Sequence, residues 1–375
     1  MPTVSIVQRI LPHYRRPFFE RLHELLGRDG IDLALSYGQE QPGARPGSVD
    51  LGADWARRVH NHYLFEKGHS SAVWQPCLRG LLRADLVIVE HAARLLINYP
   101  LAAMSRVGRT RLALWGHGTN LQASAAGLAQ HLRQGITRSA HWWFAYTDLS
   151  ARLVALGGFP EDRITVVNNA IDTSALRAGI DAVPAQRREA IRRELGLTSG
   201  ATGLFCGRLV EEKRIELLLD AAALVHAARP AFRLVVVGDG PRERLLLAQA
   251  EQYPWLRFVG ARYGADVAPY FATSDFLVMP GLVGLVIVDS FAAELPLITT
   301  DHGGHSPEIE YLRHDQNAVM TACDVNALAA ETIALIDSSE RRARLCAGCR
   351  RSAAEYTLEH MVERFGDGVR AALAA

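Results

Sequence analysis

The chain has 375 residues, 49% of them hydrophobic and 22% charged, with a formal net charge of +1. That length and balance fit a globular protein of two domains and exclude disordered and collagen-like chains. The five cysteines are odd in number, and Cys346 and Cys349 have no second pair or histidine cluster at zinc-finger spacing, so reduced thiols in a cytoplasmic protein are expected, without a disulfide framework.

In chain order, the first apolar run is TVSIVQ (3–8). The loop after it, QRILPHYRRPFF (8–19), carries His13, Tyr14, Arg15 and Arg16, a basic, aromatic rim suited to an anionic acceptor or a lipid surface. Phe19, Leu22, Leu25 and Leu26 then recur at helical spacing and read more simply as the core face of a helix. IDLALSY (31–37) leads into a Gly/Pro-rich loop over 36–55, expected at the surface and near a ligand. DLVIVE (85–90), RLALW (111–115), HWWFAY (141–146) and ITVV (164–167) complete the first series of strands. A second series runs TGLFC (202–206), FRLVVVG (232–238), LRFVG (256–260), DFLVMP (275–280) and PLITT (296–300). Short buried strands spaced by helices predict two doubly wound parallel sheets, one per half. The helix after 213 shows the pattern, with Ile215, Leu218, Leu219, Ala222 and Val225 on one stripe.

A turn-rich join beginning NNAID at Asn168 sets the expected organisation: a first domain over 1–168, a second over 169–355, and a terminal helix over 356–375 that carries Met361, Phe365 and Val369 on one face. The charge is split accordingly. Residues 1–170 hold 19 Lys+Arg and 13 Asp+Glu, net +6, and the remainder 22 and 27, net −5. A basic half could face anionic lipid, nucleic acid or an anionic acceptor, and an uneven but solvated surface is the plain alternative. The N-terminus lacks a continuous apolar segment, and the longest uncharged apolar stretch, FLVMPGLVGLVIV (276–288), is 13 residues with proline and glycine inside it. Neither a signal peptide nor a membrane span is expected.

Three strand-end loops carry chemistry. Only two of the 41 basic residues are lysines, Lys67 and Lys213, and Lys213 closes GRLVEEK (207–213) between a strand and a helix N-terminus. There Arg208 and Lys213 could converge on a diphosphate together with free backbone amides, a solvated basic pair being the alternative. PGLVGLVIVDSFAAELPLITT (280–300) brings Gly281 and Gly284 before a helical segment with Asp289. The glycines let amides approach an anion, and Asp289 could accept two sugar hydroxyls; a ligand-free tight turn would use the same glycines. In WGHGTN (115–120), His117 sits between two glycines at a strand end, where a structural role is the usual one for a lone histidine.

Together GRLVEEK, VVVGDGPRERLL (235–246), VGARYGADVAPYFATSDFLVMP (259–280) and GLVGLVIVDSFAAELPLITTDHGGHSPEI (281–309) resemble, in order, the donor domain of the family-4 retaining glycosyltransferases, group 1 enzymes of the GT-B fold. The resemblance covers roughly residues 165–320 and is more specific than any lone glycine motif. It implies two Rossmann-like domains facing across a cleft, the first for the acceptor and the second for the nucleotide sugar. It implies that Arg208 and Lys213 bind the donor diphosphate and stabilise its departure, and that the backbone of Val283, Gly284 and Leu285 cradles the distal phosphate. Asp289 stands for the family's ribose-binding glutamate, Glu308 matches a family glutamate, and His117 matches the histidine placed against the donor sugar. Gly281 occupies the place of the first glutamate of the paired motif and cannot make its sugar contact. Glu294 stands where the family usually has glycine. His305 is an added polar group, read either as a substitute sugar contact or as a solvent-facing loop histidine.

The implied reaction is transfer, with retention and without metal or cofactor, of a sugar from a UDP-, GDP- or TDP-sugar to a saccharide or lipid-linked acceptor in bacterial surface polysaccharide synthesis. A cytoplasmic protein is expected, peripheral at the membrane through its basic first domain, with no nucleic-acid partner. A non-catalytic GT-B subunit and a nucleotide-sugar epimerase are the alternatives. A hinge is expected near Asn169–Asp172.

Overall fold

A computed structural model describes residues 1–41, 47–64, 72–118 and 134–375. Thr119 and Asn120 of WGHGTN, Lys67, and residues 42–46 of the long loop lie outside the described residues. The chain forms two compact units, Met1–Asp172 with Leu358–Ala375, and Thr173–Thr357.

The first unit is built on a seven-stranded parallel sheet. Its strands are β1 (Thr3–Gln8), β2 (Asp32–Tyr37), β3 (Ala56–Arg58), β6 (Leu86–Glu90), β7 (Leu112–Gly116), β8 (Trp142–Ala145) and β9 (Ile164–Val166), in the order β3-β2-β1-β6-β7-β8-β9. Strands β4 (His62–Leu64) and β5 (Ala72–Trp74) pair antiparallel as a separate ribbon. Val4, Ile6, Leu86, Val87, Ile88, Leu112, Ala113 and Leu114 are fully buried, as expected of strands covered on both faces.

Helix α1 (Arg16–Arg28) buries Phe18, Phe19, Leu22 and Leu26 on one face of that sheet. The C-terminal helix (Leu358–Ala374) buries Met361, Phe365 and Val369 on the same face. Phe365 stacks on Phe144 at 4.2 Å and meets Trp115 and Phe18 edge-on at 5.1 and 5.3 Å. Burial and aromatic packing of this kind anchor the helix, which is separated from β9 by the whole second unit in sequence.

The second unit has a six-stranded parallel sheet in the order β12-β11-β10-β13-β14-β15. Its strands are β10 (Thr202–Cys206), β11 (Arg233–Val237), β12 (Leu256–Gly260), β13 (Phe276–Val278), β14 (Leu297–Asp301) and β15 (Ala318–Ala322). Helix α2 (Ile215–Ala228) buries Ile215, Leu218, Leu219, Ala222 and Val225, the stripe read from its periodicity. Eleven strands fall on the apolar runs of the sequence. Strands β3, β4, β5 and β15 do not: Ala56–Arg58 and His62–Leu64 are short and largely exposed, and Ala318–Ala322 is an alanine-rich edge strand whose composition carries little strand propensity.

The basic, apolar stretch at the start of α1 is engaged within the first unit. Its aromatics are in the core, Arg16 pairs with Glu20 at 2.8 Å, and Arg21 pairs with Asp172 and Glu359. Arg15, expected at an exposed rim, is 6% exposed. It donates to Asn169 Oδ1 at 2.5 Å and to the Ala170 carbonyl, and lies over the rings of Tyr14, Trp115 and Tyr146. The reading of His13–Arg16 as an exposed basic rim is corrected at Arg15, which with Arg21 ties the end of the first unit to α1.

Candidate functional site

In each sheet the strand order reverses direction at one place, where the loops on either side diverge and leave a crevice at the carboxyl ends of the strands. In the second unit this place lies between β10 and β13, and GRLVEEK and the Gly281 loop are the two strand-end loops that meet there.

The 207–210 loop is held from one side by the 238–242 turn. Gly207 N–H donates to the Val237 carbonyl at 3.0 Å, Leu209 N–H to Asp239 at 2.7 Å, and Arg242 N–H back to Leu209 at 3.0 Å. Gly238, with φ +150°, passes so close that a Cβ would fall 3.0 Å from the Gly207 carbonyl carbon, which is why this turn excludes any side chain. Residues 211–213 form a single 3-10 turn, and Arg214 adopts left-handed backbone (φ 52°) to start α2.

Lys213 is thereby turned inward. Its Nζ donates to the Leu282 carbonyl, while Leu282 N–H donates to the Glu212 carbonyl at 2.7 Å. The two loops are laced by reciprocal bonds. Burial lowers the Lys213 ammonium to about 8, and two of its three N–H donors remain for a ligand. Arg208, by contrast, is exposed and makes no hydrogen bond or ion pair to the described residues.

Gly281 sits directly against that turn. A Cβ there would fall 2.5 Å from Lys213 Cα and nearer still to the Glu212 carbonyl oxygen. The space that a glutamate would need in this position is filled by backbone.

Of the three amides expected to cradle a phosphate, Val283 is corrected: its N–H is donated to His305 Nδ1 at 3.2 Å. Gly284 and Leu285 N–H make no bond to the described residues. His305 is neither a sugar contact nor solvent-facing. It is 5% exposed, and its Nε2–H donates to the Thr300 carbonyl at 2.6 Å. Both ring nitrogens are occupied in the neutral tautomer, and burial pushes its pKa down to about 4. His305 is a staple between β14 and the 280–285 loop, which Thr300 Oγ1 also ties through the Pro280 carbonyl at 2.6 Å.

Asp289 lies in helix α3 (Val286–Ala292). Its carboxyl makes no hydrogen bond or ion pair to the described residues, and burial pushes it up to about 7. It lies near Cys206 at the end of β10: the Cys206 thiol is pushed up to about 12, first by burial and then by the Asp289 charge, against the pull of Lys213. Lys213, Cys206 and Asp289 are thus brought together at the crevice. Glu308 is in a 3-10 turn behind it, 2% exposed and with interactions of its own. Glu294, just past α3, has φ 56° and is clamped by Arg177 at 2.7 Å and Arg350 at 2.5 Å. The charge pairs replace the conformational freedom that glycine would give at a helix end.

In the first unit His117 follows β7, exposed, with its ring 4.5 Å from that of Tyr146. The crevice of this unit, between β1 and β6, holds a charged group that the sequence reading missed. Glu90 Oε1 accepts the Arg9 N–H at 2.8 Å. Burial pushes its carboxyl up, while Arg9, Arg94 and Arg15 draw it down. The sequence signal was a charge directly after each apolar run, SIVQR and VIVE, 81 residues apart.

Residues 200–338 match the family model described as Glycosyl transferases group 1, so the second unit carries a group 1 glycosyl transferase domain. A GDP-mannose-dependent alpha-mannosyltransferase of Mycobacterium tuberculosis (strain CDC 1551 / Oshkosh) is 30% identical over 246 residues, 60% of this chain. The matched stretch spans only 58% of that protein's length. A glycogen synthase of the same organism is 25% identical over 345 residues, 85% of this chain and 81% of that one. Among solved structures, Anabaena Alr3699/HepE in complex with UDP superposes with a TM-score of 0.71 at 16% identity, covering 99% of this chain and 100% of that one. Sucrose-phosphate synthase from Thermosynechococcus elongatus superposes with a TM-score of 0.70 at 15% identity, covering 99% and 98%. Identities this low establish the fold, two Rossmann-like parallel sheets of the GT-B kind.

Proposed function

We propose that this chain is a retaining, family-4 type hexosyltransferase that moves a sugar from a nucleotide-diphosphate donor to a saccharide or lipid-linked saccharide in bacterial surface polysaccharide synthesis. The observation that carries the reading is the meeting, at the crevice of a group 1 domain, of Lys213 with the Gly284 and Leu285 amides and the Asp289 carboxyl, which have no partner among the described residues. Departure of a nucleoside diphosphate leaves negative charge on its phosphate oxygens and an oxocarbenium-like sugar. Lys213 and the two amides would meet that charge as it grows, with Arg208 closing on it from solvent. Asp289 accepts the ribose hydroxyls, Glu308 supports the donor pocket and His117 acts at the sugar. The departing phosphate oxygen takes the acceptor hydroxyl's proton, so the reaction needs neither a metal nor a further cofactor. The donor names carried by relatives, GDP-mannose and UDP, make both nucleotides the first to try.

Among the described residues no helix is long and apolar enough to cross a membrane. We place the protein in the cytoplasm, with membrane contact through the exposed arginines of the first unit rather than α1. The filled space at Gly281 favours one other reading, a nucleotide-binding subunit without turnover. Incubation with UDP-, GDP- and TDP-sugars separates the two. Slow nucleotide release from one donor, lost in Lys213→Ala while the fold is kept, supports transfer; binding with no release in any acceptor extract rejects it.

A further inference from the structure

Among the described residues, the crevice of the first unit holds more cations than its own groups neutralise. Arg9 follows β1 and Glu90 ends β6, neighbours in the sheet. Around them the strand-end carbonyls accept from buried amide side chains. Gln75 Nε2 donates to the Gln8 carbonyl at 3.0 Å, Asn61 Nδ2 to Arg9 at 2.7 Å, and Asn98 Nδ2 to Glu90 at 2.9 Å. Arg9 Nε is buried with no acceptor, and among the described residues neither Arg9 nor Arg94 is in an ion pair. Arg94 is exposed as a residue. Its pKa is nevertheless lowered, first by burial and then by the charge of Arg9, so the two guanidiniums repel one another. Arg15, buried with only Asn169 Oδ1, a carbonyl and a thioether as acceptors, adds a third positive charge near Glu90. The charges of three guanidiniums thus act on one carboxylate, whose Oε1 already serves the Arg9 amide.

We propose that this crevice binds the acceptor by an anionic group, a phosphate or carboxylate on the acceptor saccharide, seated on Arg9 and Arg94 beside Glu90. The positive charge calls for an anion, while the buried amide oxygens of Asn61, Gln75 and Asn98, which have no donor among the described residues, suit the hydroxyls of the saccharide that carries it. Planar guanidiniums match a phosphate or carboxylate edge to edge. Arg15 is a positioning residue that contributes field rather than contact. The inference takes from the proposed function only that the first unit receives the acceptor.

The test is a titration of the full chain with inorganic phosphate, glucose 6-phosphate, glucuronate and glucose, with saturating UDP or GDP occupying the second unit. One phosphate is expected to bind per chain, and binding is expected to weaken about tenfold or more in Arg94→Ala. It should be lost in Arg94→Glu, partly kept in Arg94→Lys, and tightened in Glu90→Gln, which keeps an acceptor for the Arg9 amide without its charge. Stronger competition by the phosphate ester than by glucuronate identifies phosphate as the group, and the reverse identifies carboxylate. The proposal is overturned if neither anion binds, if glucose competes as well as they do, or if Arg94→Ala leaves the affinity unchanged. Failure of every nucleotide to bind would remove the donor reading alone, because the same titration on Lys213→Ala still reports on Arg9 and Arg94.

Discussion

The two crevices solve opposite electrostatic problems with similar topology. Between β10 and β13 the single lysine is already bonded to the Leu282 carbonyl, and a carboxyl has no partner among the described residues. Between β1 and β6 the carboxylate is bonded to a backbone amide, and the guanidiniums are left over. The first arrangement suits a ligand with both a diphosphate and hydroxyls; the second suits one whose distinguishing group is an anion. A shared fold therefore says where ligands bind, and the unmatched charges say which ones.

The largest effect is expected at the lysine. Lys213→Ala removes a buried cation whose remaining donors face the crevice, and loss of one such donor to a developing oxyanion lowers turnover about a hundred- to a thousandfold. Nucleotide release assays check this, with unchanged phosphate binding in the first unit showing that the two crevices act separately. If Lys213→Ala releases nucleotide at the wild-type rate, the contrast between the units fails.

Next in size is the packing of the Gly281 loop. Gly281→Ala places a methyl group against the Glu212–Lys213 backbone, and forced repacking of this kind costs about 1–3 kcal/mol. Gly281→Glu, which restores the residue of the resembled family, is expected to melt lower still and to bind nucleotide more weakly. A gain in donor affinity would show that the loops separate readily and that the lacing is incidental.

Much of this was legible beforehand. Eleven strands followed from apolar runs, and Lys213 stood out because lysine is so rare in the chain. His305 did not, because its two partners are the Val283 amide and the Thr300 carbonyl, backbone atoms that leave no residue signature. The Arg9–Glu90–Arg94 group was hidden by sequence distance: only the parallel register of β1 with β6 brings position 9 to position 90. The clamp on Glu294 was equally invisible, since Arg177 and Arg350 lie far on either side of it.

A smaller effect follows from the pH dependence of the second crevice. Asp289 titrates at about 7, against 3.8 for an ordinary aspartate. Between those values the folded chain binds more protons than the unfolded one, so this group makes stability fall as pH rises through that window, by at most about 1.4 kcal/mol per pH unit. Asp289→Asn should flatten that slope in melting curves. Donor binding should move the other way, weakening below about 7 as the carboxylate is protonated and above about 8 as Lys213 loses its proton. A flat binding profile from pH 6 to 9 would separate these two groups from the donor. Phosphate binding by Arg9 and Arg94 should lack the alkaline limb, because guanidiniums keep their protons.

The smallest effect tests what holds Asp289 in place. Glu294 ends the turn after α3 in left-handed backbone, which costs a non-glycine residue about 1 kcal/mol. Glu294→Gly removes that cost along with both ion pairs, whereas Glu294→Ala loses the pairs and keeps the cost. The alanine variant should therefore be the less stable by about 1 kcal/mol, read as a difference in denaturant midpoint. Because the pairs with Arg177 and Arg350 are partly solvent-exposed, the stability of the wild type relative to the glycine variant should fall in 1 M salt, where the screening length is about 3 Å. If alanine and glycine prove equal, the backbone strain is absorbed elsewhere, and the position of α3 behind the crevice owes nothing to this clamp.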